Sequence, residues 1–170
     1  MSDILKAGTA APDFTLQSSA GNSAGEPGEM VTLSDLKGKN VVLAFYPADW
    51  SAVCGDQLTL YSELMPVFED LNAVLLGISV DGAFCHSAFR ENRNYQMQLL
   101  ADFQPKGEVA KQYGVYREED GFTERALFVI DKEGTITWSY LSPIDVNPGA
   151  NHILEALKEI EGKSAENTPA

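Results

Sequence analysis

The chain holds two cysteines, and one of them closes the stretch FYPADWSAVC, residues 45–54. An apolar run ends there, a turn follows, and Cys54 falls where helical spacing begins. A sulfur at a helix start faces free backbone N–H groups and the positive end of the helix dipole, the setting that favours a thiolate. Pro47 has no N–H and a fixed φ, so it ends the strand and shapes the turn. Ser51, three residues before Cys54, can bring its hydroxyl within one helical turn of the sulfur. Magnitudes say that more is needed. An ordinary cysteine, with a pKa of about 8.5, is only a few per cent thiolate at neutral pH. Lowering such a value to about 6 takes roughly 3.4 kcal/mol of preference for the anion. A helix terminus gives about 0.3–1 kcal/mol, at most about 2. A cation or strong donors must supply the rest, each charged hydrogen bond contributing about 1.5–3 kcal/mol. Arg125, immediately before the run ALFVI, offers a rigid fork of donors suited to a thiolate and to an incoming oxygen. The competing reading is a passive cysteine packed in the core.

The second cysteine, Cys85, precedes His86 in the segment DGAFCH. Free cysteine is among the most buried residue types, so packing alone accounts for it. Zinc is a poor fit: Cys54, Cys85, His86 and an aspartate offer ligand types but no paired C-x-x-C spacing. His86 reads as a histidine in ordinary polar contacts and His152 as a helix residue. Trp138 reads as a packing group, while Trp50, beside the motif, is also placed to wall a pocket. The absence of C-x-x-C argues against a disulfide reductase. The net charge of −13, from 25 acidic and 12 basic residues, disfavours nucleic-acid and anionic-membrane partners. No apolar run approaches a membrane span, and the N-terminus lacks the pattern of a signal peptide. A cytoplasmic setting that keeps thiols reduced is therefore expected, and no disulfide framework.

These groups need elements to hold them. At 170 residues the chain suits one domain, over 1–162, with 163–170 a polar tail. APDFTLQ alternates as a short strand, and 18–29 reads as a Gly/Ser-rich loop. MVTLSDLKGKN gives a further short strand and a turn. VVLAFY (41–46) and AVLLGISV (73–80) are continuous apolar runs, as in strands covered on both faces. A helix from Val53 to Phe68, bent at Pro66, lies between them, so the two strands should be parallel neighbours. Asp81 is expected to cap a helix over 82–93 whose apolar side includes Phe84, Ala88 and Phe89. LLADF is extended, and a short helix spans Lys106 to Tyr113. REED (117–120) reads as a solvated loop. ALFVID and TITWSYL form an antiparallel hairpin. Asn147-Pro148 opens a terminal helix carrying Ile153, Leu154, Leu157 and Ile160. This order implies an α/β protein of thioredoxin-like fold, a mixed central sheet with helices on both faces.

The block Pro47-Ala-Asp-Trp-Ser51-Ala-Val-Cys54 resembles the P-x-x-x-[TS]-x-x-C motif of peroxiredoxins. AAPDFTL, GISVD, LLADFQPKGEVAKQYGVY and RALFVIDKEGTI are similar to the same family over nearly all of 6–161, with the alkyl hydroperoxide reductase E-like branch the nearest in pattern. The resemblance implies a thiol peroxidase needing no cofactor or metal, with Cys54 the peroxidatic cysteine and Pro47, Ser51 and Arg125 completing the site. It implies a hydroperoxide substrate, a thioredoxin-like or other thiol reductant and, as in related kinds, a homodimer. Some members carry a resolving cysteine in the helix where Cys85 lies, which would form an intramolecular disulfide with Cys54. A one-cysteine cycle using an external thiol, and a non-enzymatic binding module of the same fold, stand as alternatives. One departure is Gln57, where many members have glutamate.

Overall fold

The computed structural model describes residues 3–19 and 28–166. Strands β1 (Thr15–Ser18) and β2 (Met30–Thr32) are followed by a 3-10 turn (Leu33–Leu36) and β3 (Asn40–Phe45). Helices α1 (Ala52–Glu63) and α2 (Met65–Asp70) lead to β4 (Ala73–Ser79), α3 (Ala83–Arg93) and β5 (Gln98–Ala101). Then come α4 (Glu108–Gln112), the short ribbon β6 (Tyr116–Arg117) and β7 (Phe122–Thr123), β8 (Arg125–Ile130), β9 (Ile136–Ser142) and α5 (Asn151–Glu166). The main sheet has the order β2-β1-β5-β4-β3-β8-β9. β3 pairs parallel with β4 and antiparallel with β8, so it sits at the centre of the fold.

The alternation of β3 divides the core in two. Val41, Leu43 and Phe45 face a cluster with Leu76, Ile78, Val109, Tyr113 and Phe128. Val42, Ala44 and Tyr46 face the other side with Leu58, Tyr61, Phe68, Phe89, Ile153 and Leu157. Side chains of opposite parity therefore bury against α4 on one face and against α1, α2, α3 and α5 on the other. Gly77 of β4 permits close approach: a Cβ there would lie 2.8 Å from Leu99 Cδ2 and 3.3 Å from the Tyr46 ring. The thioredoxin-like layout with helices on both faces is present, as are the parallel β3–β4 pair and the β8–β9 hairpin.

Several local expectations change. Pro66 does not bend one helix but stands in the first turn of a separate one, α2, after Leu64 closes α1. The cap of α3 is Gly82 without a side-chain bond, because the Asp81 carboxylate is taken by Ser79 Oγ and the Asp49 N–H. Phe84 is 64% exposed and Ala88 is also outward, while Ala83, His86, Ser87 and Phe89 form the buried side of α3. Asn147 accepts a hydrogen bond from Gly149 N in a local turn, and α5 begins only at Asn151. The REED segment lies at the turn of the β6–β7 ribbon, where Arg117 pairs with Asp120 and Glu124. The loop expected at 18–29 falls mostly outside the described residues, as does the end of the expected tail, but α5 runs past Gly162 to Glu166.

Candidate active site

Two adjacent strands deliver the sulfur and the guanidinium. β3 ends at Phe45, and the turn through Pro47 hands the chain to α1, which places Cys54 in the first turn. β8 begins with Arg125, antiparallel to β3 at the same end of the sheet. Arg125 Nη1 and Nη2 each donate to Cys54 Sγ at 3.4 Å. Both residues are buried, Cys54 at 0% and Arg125 at 2% exposure. A guanidinium so withdrawn from water interacts with the sulfur far more strongly than a surface pair would.

The other donors of Arg125 are held by neutral acceptors. Nε and Nη2 donate to the Ile144 carbonyl at 3.0 and 2.9 Å, and Nη1 donates to Gln57 Oε1 at 2.6 Å. Gln57, on α1 one position short of a turn beyond Cys54, donates from Nε2 to Tyr61 Oη at 3.1 Å. Tyr61 Oη donates in turn to the Gly149 carbonyl at 2.9 Å. Burial raises the Tyr61 phenol to about 12, so it remains a donor throughout neutral pH. With glutamine at 57, none of the described hydrogen bonds of Arg125 reaches a carboxylate, and its charge is directed at the sulfur.

Ser51 is the N-cap of α1: its Oγ accepts from Cys54 N at 3.4 Å, and its carbonyl accepts from Gly55 N at 2.8 Å. The hydroxyl hydrogen is left over to donate elsewhere. Pro47 is buried in the turn. Just before it, Tyr46 N donates to the Ile78 carbonyl and the Tyr46 carbonyl accepts from Thr123 Oγ1 at 2.6 Å. Trp50 adopts φ +70°, a left-handed conformation that costs a non-glycine residue about 1–2 kcal/mol. It is 47% exposed, and its ring packs on Phe89 of α3 at 4.9 Å, where the sequence had suggested a pocket wall.

Cys85 is brought into the same neighbourhood from the other side of β3, in the first turn of α3 after β4. It is half-buried, and its thiol meets the carboxylates of Asp49 and Asp81. Burial, then those two carboxylates, push it up to about 12. Asp49, Asp81 and Cys85 are within 4.8 Å of one another, yet their oxygens are engaged with Tyr46, His86, Ser79 and the Asp49 N–H. His86, offered by the sequence as a possible ligand, points its nitrogens at Asp49 and the Leu100 carbonyl. Cys54 stands outside that group, facing Arg125. Sequence reasoning missed Asp49, Asp81, Tyr46 and the Ile144 carbonyl. Asp49 carried a signal, being the one acid inside the Pro47–Cys54 block; a backbone carbonyl carries none.

The sequence model of the AhpC/TSA family matches residues 7–139. Peroxiredoxin-1 of Gekko japonicus is 34% identical over 172 residues, covering 96% of this chain and 84% of that protein. Alkyl hydroperoxide reductase E of Mycobacterium bovis is 34% identical over 137 residues, covering 80% of this chain and 85% of that protein. Among solved structures, AhpC of Enterococcus faecalis superposes with a TM-score of 0.84 at 26% identity, covering 99% of each chain. Reduced 2-Cys peroxiredoxin of Plasmodium vivax gives 0.86 at 26% identity, covering 98% of this chain and 88% of that one.

Proposed function

The chain belongs to the AhpC/TSA family and is a thiol-dependent peroxidase, and from that premise we propose that Cys54 is the nucleophile that takes oxygen from the hydroperoxide. The observation that carries this reading is the buried Arg125 fork, with both terminal nitrogens 3.4 Å from Cys54 Sγ. The thiolate attacks the terminal peroxide oxygen, the O–O bond breaks, and the leaving oxygen departs as water or an alcohol after taking a proton. Cys54 becomes a sulfenic acid. A low pKa alone does not give the rate, since nucleophilicity falls with it. The rate comes from donors that hold the transition state more tightly than the bound peroxide. Arg125 and the Ser51 hydroxyl serve that purpose as charge builds on the departing oxygen. Pro47 fixes the turn that aims them.

Cys85 then resolves the sulfenic acid as an intramolecular disulfide. A thioredoxin-like dithiol returns the electrons, the working setting is the cytoplasm, and the chain acts as a homodimer. Among the described residues no helix is long and apolar enough to cross a membrane. The acidic net charge of −13 speaks against a nucleic-acid partner.

The test is intact mass after one equivalent of peroxide, in wild type and in Cys85→Ser. Wild type should lose two hydrogens, and Cys85→Ser should gain one oxygen on Cys54. Oxidation that leaves Cys54 untouched would reject the nucleophile. A stable sulfenic acid in wild type, with Cys85 free, would favour a one-cysteine cycle with an external thiol.

A further inference from the structure

Asp49 makes none of the described hydrogen bonds to Cys54, Ser51 or Arg125, yet it joins the two cysteine-bearing segments. Its Oδ1 accepts from Tyr46 Oη at 2.6 Å, and its Oδ2 lies 2.7 Å from His86 Nδ1 with both side chains fully buried. His86 Nε2 meets the Leu100 carbonyl of β5 at 3.0 Å. The imidazole is thus held between the 47–51 turn and β5. Asp49 N donates to Asp81 Oδ2 at 2.8 Å, tying the turn to the link between β4 and α3. The Cys85 thiol faces the same two carboxylates. Cys54, meanwhile, turns toward Arg125 on the β8 side of β3, while Cys85 comes from the β4 side.

We propose that Asp49 is a positioning residue for the resolving step: it clamps the 47–51 turn onto α3 and holds Cys85 as a thiol until that turn departs. The inference rests on Cys85 being the resolving cysteine. The step balances as Cys54–SOH plus Cys85–SH giving the disulfide and water. The Cys85 sulfur forms the S–S bond and is oxidised, the Cys54 S–O bond breaks, and the thiol proton leaves with the hydroxyl. Nucleophilic attack needs the thiolate of Cys85. With a thiol at about 12, the thiolate at neutral pH is on the order of 10⁻⁵ of the total. A cysteine freed from those neighbours returns to a few per cent, a gain on the order of 10³. The groups that face Cys85 are Asp49 from the turn, Asp81 from the β4–α3 link, Trp50, and His86 across Asp49. Arg90, farther along α3, is engaged with the Met97 carbonyl, and Arg93 lies over the Phe89 ring.

The test uses the reduced full chain. Cys85 is alkylated with iodoacetamide across a pH series and quantified by peptide mass, apart from Cys54. In wild type, labelling should climb about tenfold per pH unit with no plateau below about pH 10. Asp49→Asn should move that profile down by about 1–3 units, and Asp81→Asn should move it the same way. Tyr46→Phe removes one hydrogen bond from Asp49 but keeps its carboxylate and its ties to Asp81 and His86, so the turn stays docked and the profile should stay with wild type. Unshifted profiles in both aspartate variants, or a Tyr46→Phe shift as large as theirs, would overturn the assignment. The labelling needs no disulfide, so it is separable from the resolving role. If wild type forms no Cys54–Cys85 disulfide after peroxide, that role fails and the proposal goes with it, whatever the labelling shows.

Discussion

At the scale of single residues, the site turns on Arg125 being a buried cation held by neutral groups. Gln57 Oε1 accepts from its Nη1, and the Ile144 carbonyl accepts from Nε and Nη2, so orientation is secured without cancelling charge. Gln57→Glu would put a carboxylate into that contact and draw the guanidinium off the sulfur. Oxidation of Cys54, followed by stopped-flow tryptophan fluorescence, should slow by about 10- to 100-fold, the loss of one charged hydrogen bond. Arg125→Ala removes both donors to Sγ and should slow the same step by about 10²- to 10³-fold. Cys54, Ser51 and Arg125 were legible because each is a chemically distinctive residue at a boundary that hydrophobic patterning marks. The Ile144 carbonyl was not, because any residue supplies a carbonyl and only the fold says where it points.

At the scale of elements, polar side chains decided what apolar spacing misjudged. In α3 the periodicity nominated Phe84 and Ala88 for the core, but His86 and Ser87 went inside because His86 finds partners on both nitrogens. The same lesson applies to α4, a helix of five residues that has no side-chain cap of its own. Asp102, at the end of β5, accepts instead from Val109 N and Ala110 N at 3.1 and 2.9 Å. Burial raises the Asp102 carboxyl above its ordinary range, the two backbone donors opposing. Asp102→Ala would leave two buried N–H groups unpaired and should lower stability by about 3 kcal/mol, measured by urea unfolding. The sign of the pH effect follows as well. A carboxyl raised on folding favours the folded state below its unfolded pKa and loses that advantage as pH climbs through the folded value. Over that acidic window wild type should lose stability, relative to Asp102→Ala, as pH increases. Asn147-Pro148 misled for a related reason: its side chain served a turn to Gly149 and left the helix to start later.

At the scale of the whole molecule, Cys54 and Arg125 hang from two adjacent inner strands, β3 and β8, whose residues are buried throughout. Cys85 hangs from a helix joined to the site through one turn and a few side chains. Hydrogen exchange should therefore divide the chain: amides of β3, β4 and β8 exchange only with global unfolding, and those of 48–51 and the start of α3 exchange through smaller openings. Uniform protection across both groups would contradict this division. The parallel β3–β4 pair and the β8–β9 hairpin were legible because continuous apolar runs mark buried strands, whereas the full sheet order and the charge ties across strands depend on distant segments meeting. The central place of β3, with its two reactive neighbours on opposite flanks, has a thermal consequence. In the proposed cycle Cys54 and Arg125 already stand in contact for the peroxide step, while joining the sulfurs asks the 47–51 turn to leave α3, an opening with its own activation barrier. Chilling the enzyme should then leave the first half-reaction brisk and strand the second, so that a further equivalent of peroxide carries Cys54 on to sulfinic acid.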